Sequence, residues 1–420
     1  MNLAMEYGLI GRKLGHSYSK EIHETIENYT YTLKELEPEA VDEFMQKREF
    51  RAINVTIPYK EKVMPHLYYI SDLARKNGAV NTVVNRDGKL YGYNTDCLGL
   101  KAMMDRAGID LRGKKVLILG TGGTSKTAKA VSAETHAAQV WQVSRSAKDG
   151  CITYEEMYAA HTDADVIINT TPCGMYPDCV SSPVDLDRFD RLCGVVDAIY
   201  NPLRTPLVAA ALERGIRATG GLYMLVSQAV FAAEKFTGNT YPPTLTDEIY
   251  GKLVADKENI VLAGMPGCGK TTVGKALAES TGRRFIDTDA LIVEAHGMPI
   301  TEIFAKHGEQ VFRDWEAECV LEASKNSGCI IATGGGAVLR KANVAALKRN
   351  GRIYFLDRPL SALVPTADRP LASDMAAVEK RYAERYPIYK AVADASVLCM
   401  DTPASVAARI LTMHTEENKR

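Results

Sequence analysis

Three features of this chain predict an α/β fold with parallel sheets. Apolar strand-like runs alternate with helical stretches along almost its whole length. Two of those runs, Val116–Leu119 and Ile260–Ala263, lead straight into glycine turns. The chain is also 420 residues long, more than one hydrophobic core usually organises, so two or three domains are expected. With 51 basic and 52 acidic residues the net charge is -1, which offers no basic footprint for nucleic acid or an anionic membrane. No stretch reaches the roughly 18 apolar residues that cross a bilayer, and Met1–Leu9 lacks a basic segment followed by an apolar one. The 9 cysteines are odd in number and contain no C-x-x-C pair, so reduced thiols in the cytoplasm are expected rather than disulfides or a zinc site.

Taken in order, residues 1–105 form a first unit that opens with the strand Tyr7–Ile10. Residues 106–238 form a second, with strands at Val116–Leu119, Gln139–Val143, Val166–Asn169 and Val195–Asp197 between helices. Leu222–Phe236 reads as an amphipathic helix able to pack back on both units. The polar, Pro- and Gly-bearing run Thr237–Thr244 marks the domain boundary, and residues 239–258 read as a linker. If flexible, about twenty such residues span roughly 25 Å on average. Residues 259–420 make the last unit.

The turn after Leu119 reads Gly120-Thr121-Gly122-Gly123-Thr124-Ser125, a partial dinucleotide fingerprint whose third glycine position is Ser125. A strand before it and a helix after it would bring backbone N–H groups and a helix N-terminus to a pyrophosphate. The next strand ends in Ser144-Arg145-Ser146, where an acid would suit NAD; an arginine flanked by hydroxyls suits the 2′-phosphate of NADP, or is a solvated cation. In the first unit, three clusters present Ser17 and Ser19, Lys60 after Pro58, and Asp96 after Asn94-Thr95. A lysine and an aspartate suit proton transfer in a ketone reduction, because hydride addition leaves an alkoxide to protonate. Each alone also suits a surface ion pair.

Together these blocks resemble shikimate dehydrogenase from Met5 to Phe236. The matching residues are His16-Ser17-x-Ser19, Asn54–Lys60, Gly78–Thr82, Asn94-Thr95-Asp96, Gly120-x-Gly122-Gly123, Asn169–Pro172 with Gly174-Met175, Asp197-x-x-Tyr200-Asn201-Pro202 and Gly220–Leu222 with Met224 and Gln228. The resemblance implies a substrate domain joined to a Rossmann-like NADP domain. It makes Lys60 and Asp96 the catalytic pair, with Ser17, Ser19 and Tyr200 on the substrate carboxylate and Thr56, Asn81 and Gln228 on ring hydroxyls. It places the cofactor at Gly120, Gly122, Gly123, Ser144, Arg145 and Gly221. Lys20 departs from the usual proline, and Thr124-Ser125-Lys126 replaces an alanine-rich turn.

The second glycine turn is a complete G-x-x-x-x-G-K-T, Gly264 to Thr271, between a strand and the helical run Thr272–Ser280. Its N–H groups would cradle a β-phosphate, Lys270 would reach the β/γ oxygens, and the Thr271 hydroxyl would bind Mg²⁺. The strand Arg284–Ile286 delivers Asp287 and Asp289, which on a strand end would point to one side, toward Mg²⁺ and the attacking hydroxyl. Gly334-Gly335-Gly336 suits close backbone approach to a small ligand, and Arg313 and Arg385 suit a carboxylate clamp.

From Asn259 to about Val397 this half resembles shikimate kinase through the phosphate loop, Asp287-x-Asp289, Phe312-Arg313-x-x-Glu316, the glycine triplet, Arg369-Pro370-Leu371 and Arg385-x-Pro387-x-Tyr389. The resemblance implies a P-loop kinase domain using ATP and Mg²⁺. Gly264, Gly267, Gly269, Lys270, Thr271 and Thr272 then hold nucleotide, Thr271 and Asp287 hold Mg²⁺, and Asp289 touches the reacting hydroxyl. Arg313, Gly334, Gly335, Gly336 and Arg385 bind shikimate, and Arg369 is the lid arginine. Leu363-Val364-Pro365-Thr366 lacks a further arginine common on the adenine side. The expectation is a bifunctional enzyme that makes shikimate with NADPH and phosphorylates it with ATP. The alternative is a dehydrogenase fused to a non-catalytic nucleotide-binding regulatory module, and quinate is the alternative substrate of the first half.

Overall fold

The computed structural model describes residues 5–15, 17–363 and 375–417. The chain divides into two compact units, Met1–Asn201 with Thr205–Tyr250, and Pro202–Arg204 with Gly251–Arg420. The first unit contains two sheets. Its first stretch runs β1 (Met5–Gly11), α1 (Ser19–Ile26), β2 (Tyr31–Glu35), α2 (Ala40–Lys47), β3 (Phe50–Val55), β4 (Tyr69–Ile70), α3 (Asp72–Asn77), β5 (Thr82–Arg86), β6 (Lys89–Tyr93) and α4 (Asp96–Arg106). The strands form a six-stranded sheet in the order β2-β1-β3-β5-β6-β4.

The sheet departs from all-parallel pairing at one strand, because β5 runs antiparallel to both β3 and β6. Asp87 and Gly88 hold φ of 50° and 80°, the left-handed pair that reverses a chain within two residues. Ile10, Phe50, Ile53, Val55 and Val83 form the centre of the core on this sheet.

The second sheet follows with β7 (Lys115–Leu119), α5 (Gly123–Glu134), β8 (Gln139–Ser144), β9 (Ile152–Thr153), α6 (Tyr154–Ala160), β10 (Val166–Asn169), β11 (Gly194–Asp197), α7 (Pro206–Glu213) and β12 (Arg217–Thr219). Its order is β12-β11-β10-β7-β8-β9, parallel throughout. Val116–Leu119 and Val166–Ile168 are covered on both faces, which explains their unbroken apolar runs. The strand order reverses between β7 and β10, and the crevice at the carboxyl ends there is where such sheets take ligands. The expected return helix is α8 (Leu222–Thr237), which packs against α1 and α4.

The segment expected as a linker, 239–258, is helical over α9 (Thr244–Lys257). The prolines that suggested a flexible tether, Pro242 and Pro243, occupy only its first residues and are compatible with a helix start, while Gly238 closes α8 before it. Within the first unit, Tyr250 meets Tyr223 edge-on at 5.3 Å, and the Arg106 guanidinium lies over both rings.

The second unit continues with β13 (Asn259–Ala263), α10 (Lys270–Thr281), β14 (Phe285–Asp287), α11 (Thr288–His296), α12 (Ile300–Ser324), β15 (Ile330–Ala332), α13 (Lys341–Asn350), β16 (Gly351–Asp357), α14 (Met375–Val392), β17 (Ala395–Leu398) and α15 (Pro403–Glu417). Its five-stranded sheet has the order β14-β15-β13-β16-β17 and is parallel throughout. Ile260–Ala263, Ile330, Ile331 and Ile353–Leu356 form its buried centre. Among the described residues, no helix is long and apolar enough to cross a membrane.

Candidate active sites

In the first unit, Asp96 opens α4, where the helix N-terminus favours a carboxylate. Lys60 lies within the turn that follows β3, and its Nζ donates to Asp96 Oδ2 at 2.6 Å. Their side chains are 24% and 12% exposed, so the pair is sheltered yet reachable. Burial and the Asp96 charge push the neighbouring Cys97 thiol up to about 12, which keeps it protonated. Asn81 Nδ2 donates to Thr95 Oγ1 at 2.9 Å and to Gln228 Oε1 at 3.0 Å, so α8 delivers Gln228 to the same place. Ser17 Oγ donates to Ser19 Oγ at 3.0 Å at the start of α1. The adjoining Tyr18 ring lies 5.4 Å from that of Tyr200. Burial raises the Tyr200 phenol, leaving it an O–H donor for a carboxylate. Thr56 sits just after β3, with its N–H donating to the Ile10 carbonyl.

Asn54 has a role that was not assigned from the sequence. It is buried, donates to the Asn81 carbonyl at 3.2 Å and to Thr82 Oγ1 at 3.1 Å, and accepts from the Tyr31 hydroxyl at 2.7 Å. These partners lie 23 to 28 residues away, so no local spacing announces the network. Lys20 lies 3.8 Å from Glu24 one helical turn on and is exposed.

At the first glycine turn, Gly120 has φ 107°, and a Cβ there would lie 2.8 Å from Thr170 Oγ1. Gly122 caps α5 and Gly123 opens it; Cβ positions on both face open space, leaving the backbone accessible to a ligand. Ser125 is fully buried. Its hydroxyl donates to the Gly122 carbonyl at 2.6 Å and accepts from Gln142 Nε2 at 3.1 Å, so here a serine braces the turn from inside. Lys126 pairs with Glu61 at 2.6 Å.

A cavity of about 850 Å³ is lined by Gly120, Gly122, Ser144, Arg145, Tyr154 and Thr171, among others. Arg145 is exposed and has no ion pair among the described residues. Gly221 does not line this cavity. The structure gives it a packing role, since a Cβ there would lie 2.2 Å from the Ala198 carbonyl oxygen where α8 begins.

In the second unit, Gly264, Gly267 and Gly269 hold φ of 152°, 80° and 102°, left-handed conformations that favour glycine. Lys270 folds back over this loop, donating to the carbonyls of Gly264 at 2.9 Å and Met265 at 3.0 Å. Thr271 Oγ1 donates to Asp287 Oδ2 at 2.8 Å, and Thr272 is exposed one residue on.

The two aspartates are not both on a strand. Asp287 ends β14 and caps α11, accepting from the N–H groups of Asp289 and Ala290, so Asp289 stands in the first helical turn. The strand alternation expected for them does not apply, because the Asp287 cap starts a helix at once. Both still line one cavity of about 600 Å³, together with Thr271, Arg313, Gly335, Gly336 and Arg385.

The glycine triplet makes room for that cavity's charged groups. A Cβ on Gly334 would lie 2.5 Å from Asp289 Oδ1, and one on Gly336 would lie 2.1 Å from Arg313 Nη1. Arg313 is held by Glu316 at 2.9 Å and Glu309 at 3.1 Å, and Arg385 donates to the Gly335 carbonyl at 3.3 Å. Burial raises the Glu316 carboxyl against the opposing pull of Arg313. Arg381, also at the cavity, was not singled out in the sequence, although it precedes Arg385 by one helical turn on α14. Arg369 and the adenine-side segment after Leu363 lie outside the described residues.

Comparison with known proteins finds a family for each unit. Residues 9–83 match the family model of the shikimate dehydrogenase substrate binding domain, and residues 266–415 match that of shikimate kinase. A shikimate dehydrogenase (NADP(+)) of Clostridium perfringens is 38% identical over 266 residues, covering 59% of this chain and 97% of the relative. The crystal structure of a chorismate mutase/shikimate 5-dehydrogenase fusion from Clostridium acetobutylicum matches with a TM-score of 0.57 and 37% identity, over 60% of this chain and 97% of that one. Shikimate 5-dehydrogenase from Thermus thermophilus, solved with NADP(H) and shikimate, matches with a TM-score of 0.53 and 27% identity, over 58% of this chain and 98% of that one. With its first unit built around a Lys60–Asp96 pair and a glycine turn, and its second around a phosphate loop, the chain belongs to the shikimate dehydrogenase family and carries a shikimate kinase domain after the dehydrogenase.

Proposed function

We propose that the chain catalyses two consecutive reactions: NADPH-dependent reduction of 3-dehydroshikimate to shikimate, and phosphorylation of the shikimate 3-hydroxyl by MgATP. The observation that carries this reading is that each unit gathers, among its described residues, groups suited to one of the two reactions. Lys60 and Asp96 meet beside Asn81 and Gln228 in the first. Asp289, Arg313 and Arg385 line one cavity with the phosphate-loop Thr271 in the second.

The dinucleotide fits the first unit because the Gly122 and Gly123 Cβ positions are open and Arg145 is available for the 2′-phosphate. When bound, NADPH supplies the hydride. The Lys60 ammonium donates the proton to the ketone oxygen, and the Asp96 carboxylate accepts a hydrogen bond from that ammonium and fixes its direction. Ser17, Ser19 and Tyr200 hold the substrate carboxylate, and Thr56, Asn81 and Gln228 hold its hydroxyls, which sets the ring in one orientation without a metal.

The triphosphate fits the second unit because three glycines give the loop positive-φ turns of the kind that cradle phosphate, and Lys270 folds back over it. When bound, MgATP supplies the phosphoryl group and the charge that steadies its transfer. The Thr271 hydroxyl and the Asp287 carboxylate, 2.8 Å apart, hold the metal side. Asp289 orients the attacking hydroxyl, while Arg313 and Arg385 clamp the carboxylate. Arg369 is assigned to the lid from its motif alone.

Incubating the purified chain with 3-dehydroshikimate, NADPH and MgATP is expected to yield shikimate 3-phosphate. Oxidation of NADPH without any phosphate ester would overturn the two-step reading.

A further inference from the structure

β11 ends in Asp197, whose side chain is fully enclosed. Its Oδ1 accepts from Asn169 Nδ2 at 3.0 Å and from the Ile199 N–H at 3.1 Å, and its Oδ2 accepts from Thr205 Oγ1 at 2.7 Å. Ile199 and Thr205 bracket Tyr200, so one carboxylate ties down both ends of the segment that carries the tyrosine.

Asn169, opposite Asp197 on the neighbouring strand and equally enclosed, passes the restraint on. Its Oδ1 accepts from the Thr171 N–H at 3.0 Å and from Thr171 Oγ1 at 2.7 Å. Thr171 lines the cavity beside the first glycine turn. The same short segment also seats α8, since the Gly221 N–H donates to the Ile199 carbonyl at 2.8 Å.

We propose that Asp197 is a positioning residue for both ligands of the dehydrogenase: its carboxylate sets Tyr200 against the substrate and, through Asn169, sets Thr171 against the dinucleotide. The inference rests on the substrate and cofactor assignments made above. A buried carboxylate is unfavourable unless its oxygens are satisfied, and Asp197 meets donors from three directions. A group wanted only to fill the core would be apolar. Burial also pushes this carboxyl up to about 6, against the pull of the same hydrogen bonds. An asparagine can keep the connection: its oxygen still accepts from Asn169 and Ile199, and its NH₂ donates to a Thr205 hydroxyl that can rotate.

The test compares the full-length Asp197→Ala and Asp197→Asn variants with the parent chain by steady-state reduction of 3-dehydroshikimate, following NADPH absorbance. Asp197→Ala is expected to raise the KM for 3-dehydroshikimate and the KM for NADPH each by about tenfold, with Asp197→Asn staying within about threefold on both. A purely structural role would lower Tm and leave both constants in place. Asp197→Ala with either KM unmoved, or an equal loss in the asparagine variant, overturns the proposal.

If Asp197→Ala does not fold, Thr205→Val removes the Oδ2 contact together with the α7 cap that Thr205 Oγ1 makes to the Val208 N–H, a loss read in Tm. It is expected to raise the KM for 3-dehydroshikimate about fivefold while the KM for NADPH stays within about twofold, and no change in the first constant overturns the proposal. Tyr200→Phe, measured alongside, separates the two levels. An unchanged KM there refutes Tyr200 as a substrate ligand, whereas a raised KM there with unmoved constants in Asp197→Ala refutes Asp197 as its anchor.

Discussion

A Cβ on Gly336 and the guanidinium of Arg313 claim the same space, 2.1 Å apart. Gly336→Ala therefore has to push Arg313 off its position between Glu316 and Glu309. The expected outcome is a KM for shikimate raised by about tenfold in the phosphorylation assay, with the KM for MgATP changed less than about twofold. At the other site, Lys60→Ala should lower kcat by roughly 10²- to 10⁴-fold while KM moves little, the mark of a group acting in the transition state. A collapse in substrate affinity would make Lys60 a binding residue instead. Arg145→Ala is expected to raise the KM for NADP by about tenfold and to leave the KM for NAD nearly unchanged, because only NADP carries the 2′-phosphate. Equal losses on both dinucleotides would refute that contact. At this scale the residue types and spacings already announced the charged groups other than Arg381. The supporting polar groups around them were hidden, since Asn54 reaches Tyr31, Asn81 and Thr82 only through folding.

Between elements, α1 and α8 meet through His23. Its ring stacks on Tyr31 at 4.1 Å and on Phe236 at 5.5 Å, and its Nδ1 meets the Tyr29 hydroxyl at 2.7 Å. Full burial lowers its pKa to about 3, so the folded chain keeps it neutral where the unfolded chain, titrating near 6.5, takes up a proton. Stability is thus fully present above pH 6.5 and falls as the pH drops toward 3, by about 1.4 kcal/mol for each unit within that window. Thermal melts of His23→Phe across this range should have a flatter pH dependence than the parent, and parallel curves would show that the histidine contributes none of the slope. α8 also depends on Gly221, whose close approach to Ala198 leaves no room for a side chain. Gly221→Ala should cost about 1–3 kcal/mol by overpacking and raise the KM for 3-dehydroshikimate as Gln228 shifts, read by Tm and steady-state rates. The α8 helix was legible in its apolar pattern. The antiparallel β5, the Asp287 cap and the α9 helix were not, because two turn residues, one capping side chain and a helix behind a proline pair decided them locally.

For the molecule as a whole, the units divide the chemistry as they divide the core. One buried apolar cluster lies around the kinase sheet, and separate clusters lie around the two sheets of the dehydrogenase. Removing divalent metal with a chelator is therefore expected to abolish formation of the phosphate ester while NADPH oxidation continues at its original rate. A parallel loss of both activities would place a metal in the reduction site as well. The sequence by itself determined the order of the units, the α/β class and the residue types that suit each reaction, because strand–glycine–helix transitions and charged motifs are local in the chain. Only the tertiary structure decided which distant groups meet. It brought Asn81 to Gln228 across 147 positions, stood Asp289 in a helical turn rather than on a strand, gave Gly221 to packing, and set Asp197 between Asn169 and Thr205. Such contacts follow from how buried polar groups find partners once sheets and helices have closed around them, and no spacing along the chain encodes that geometry.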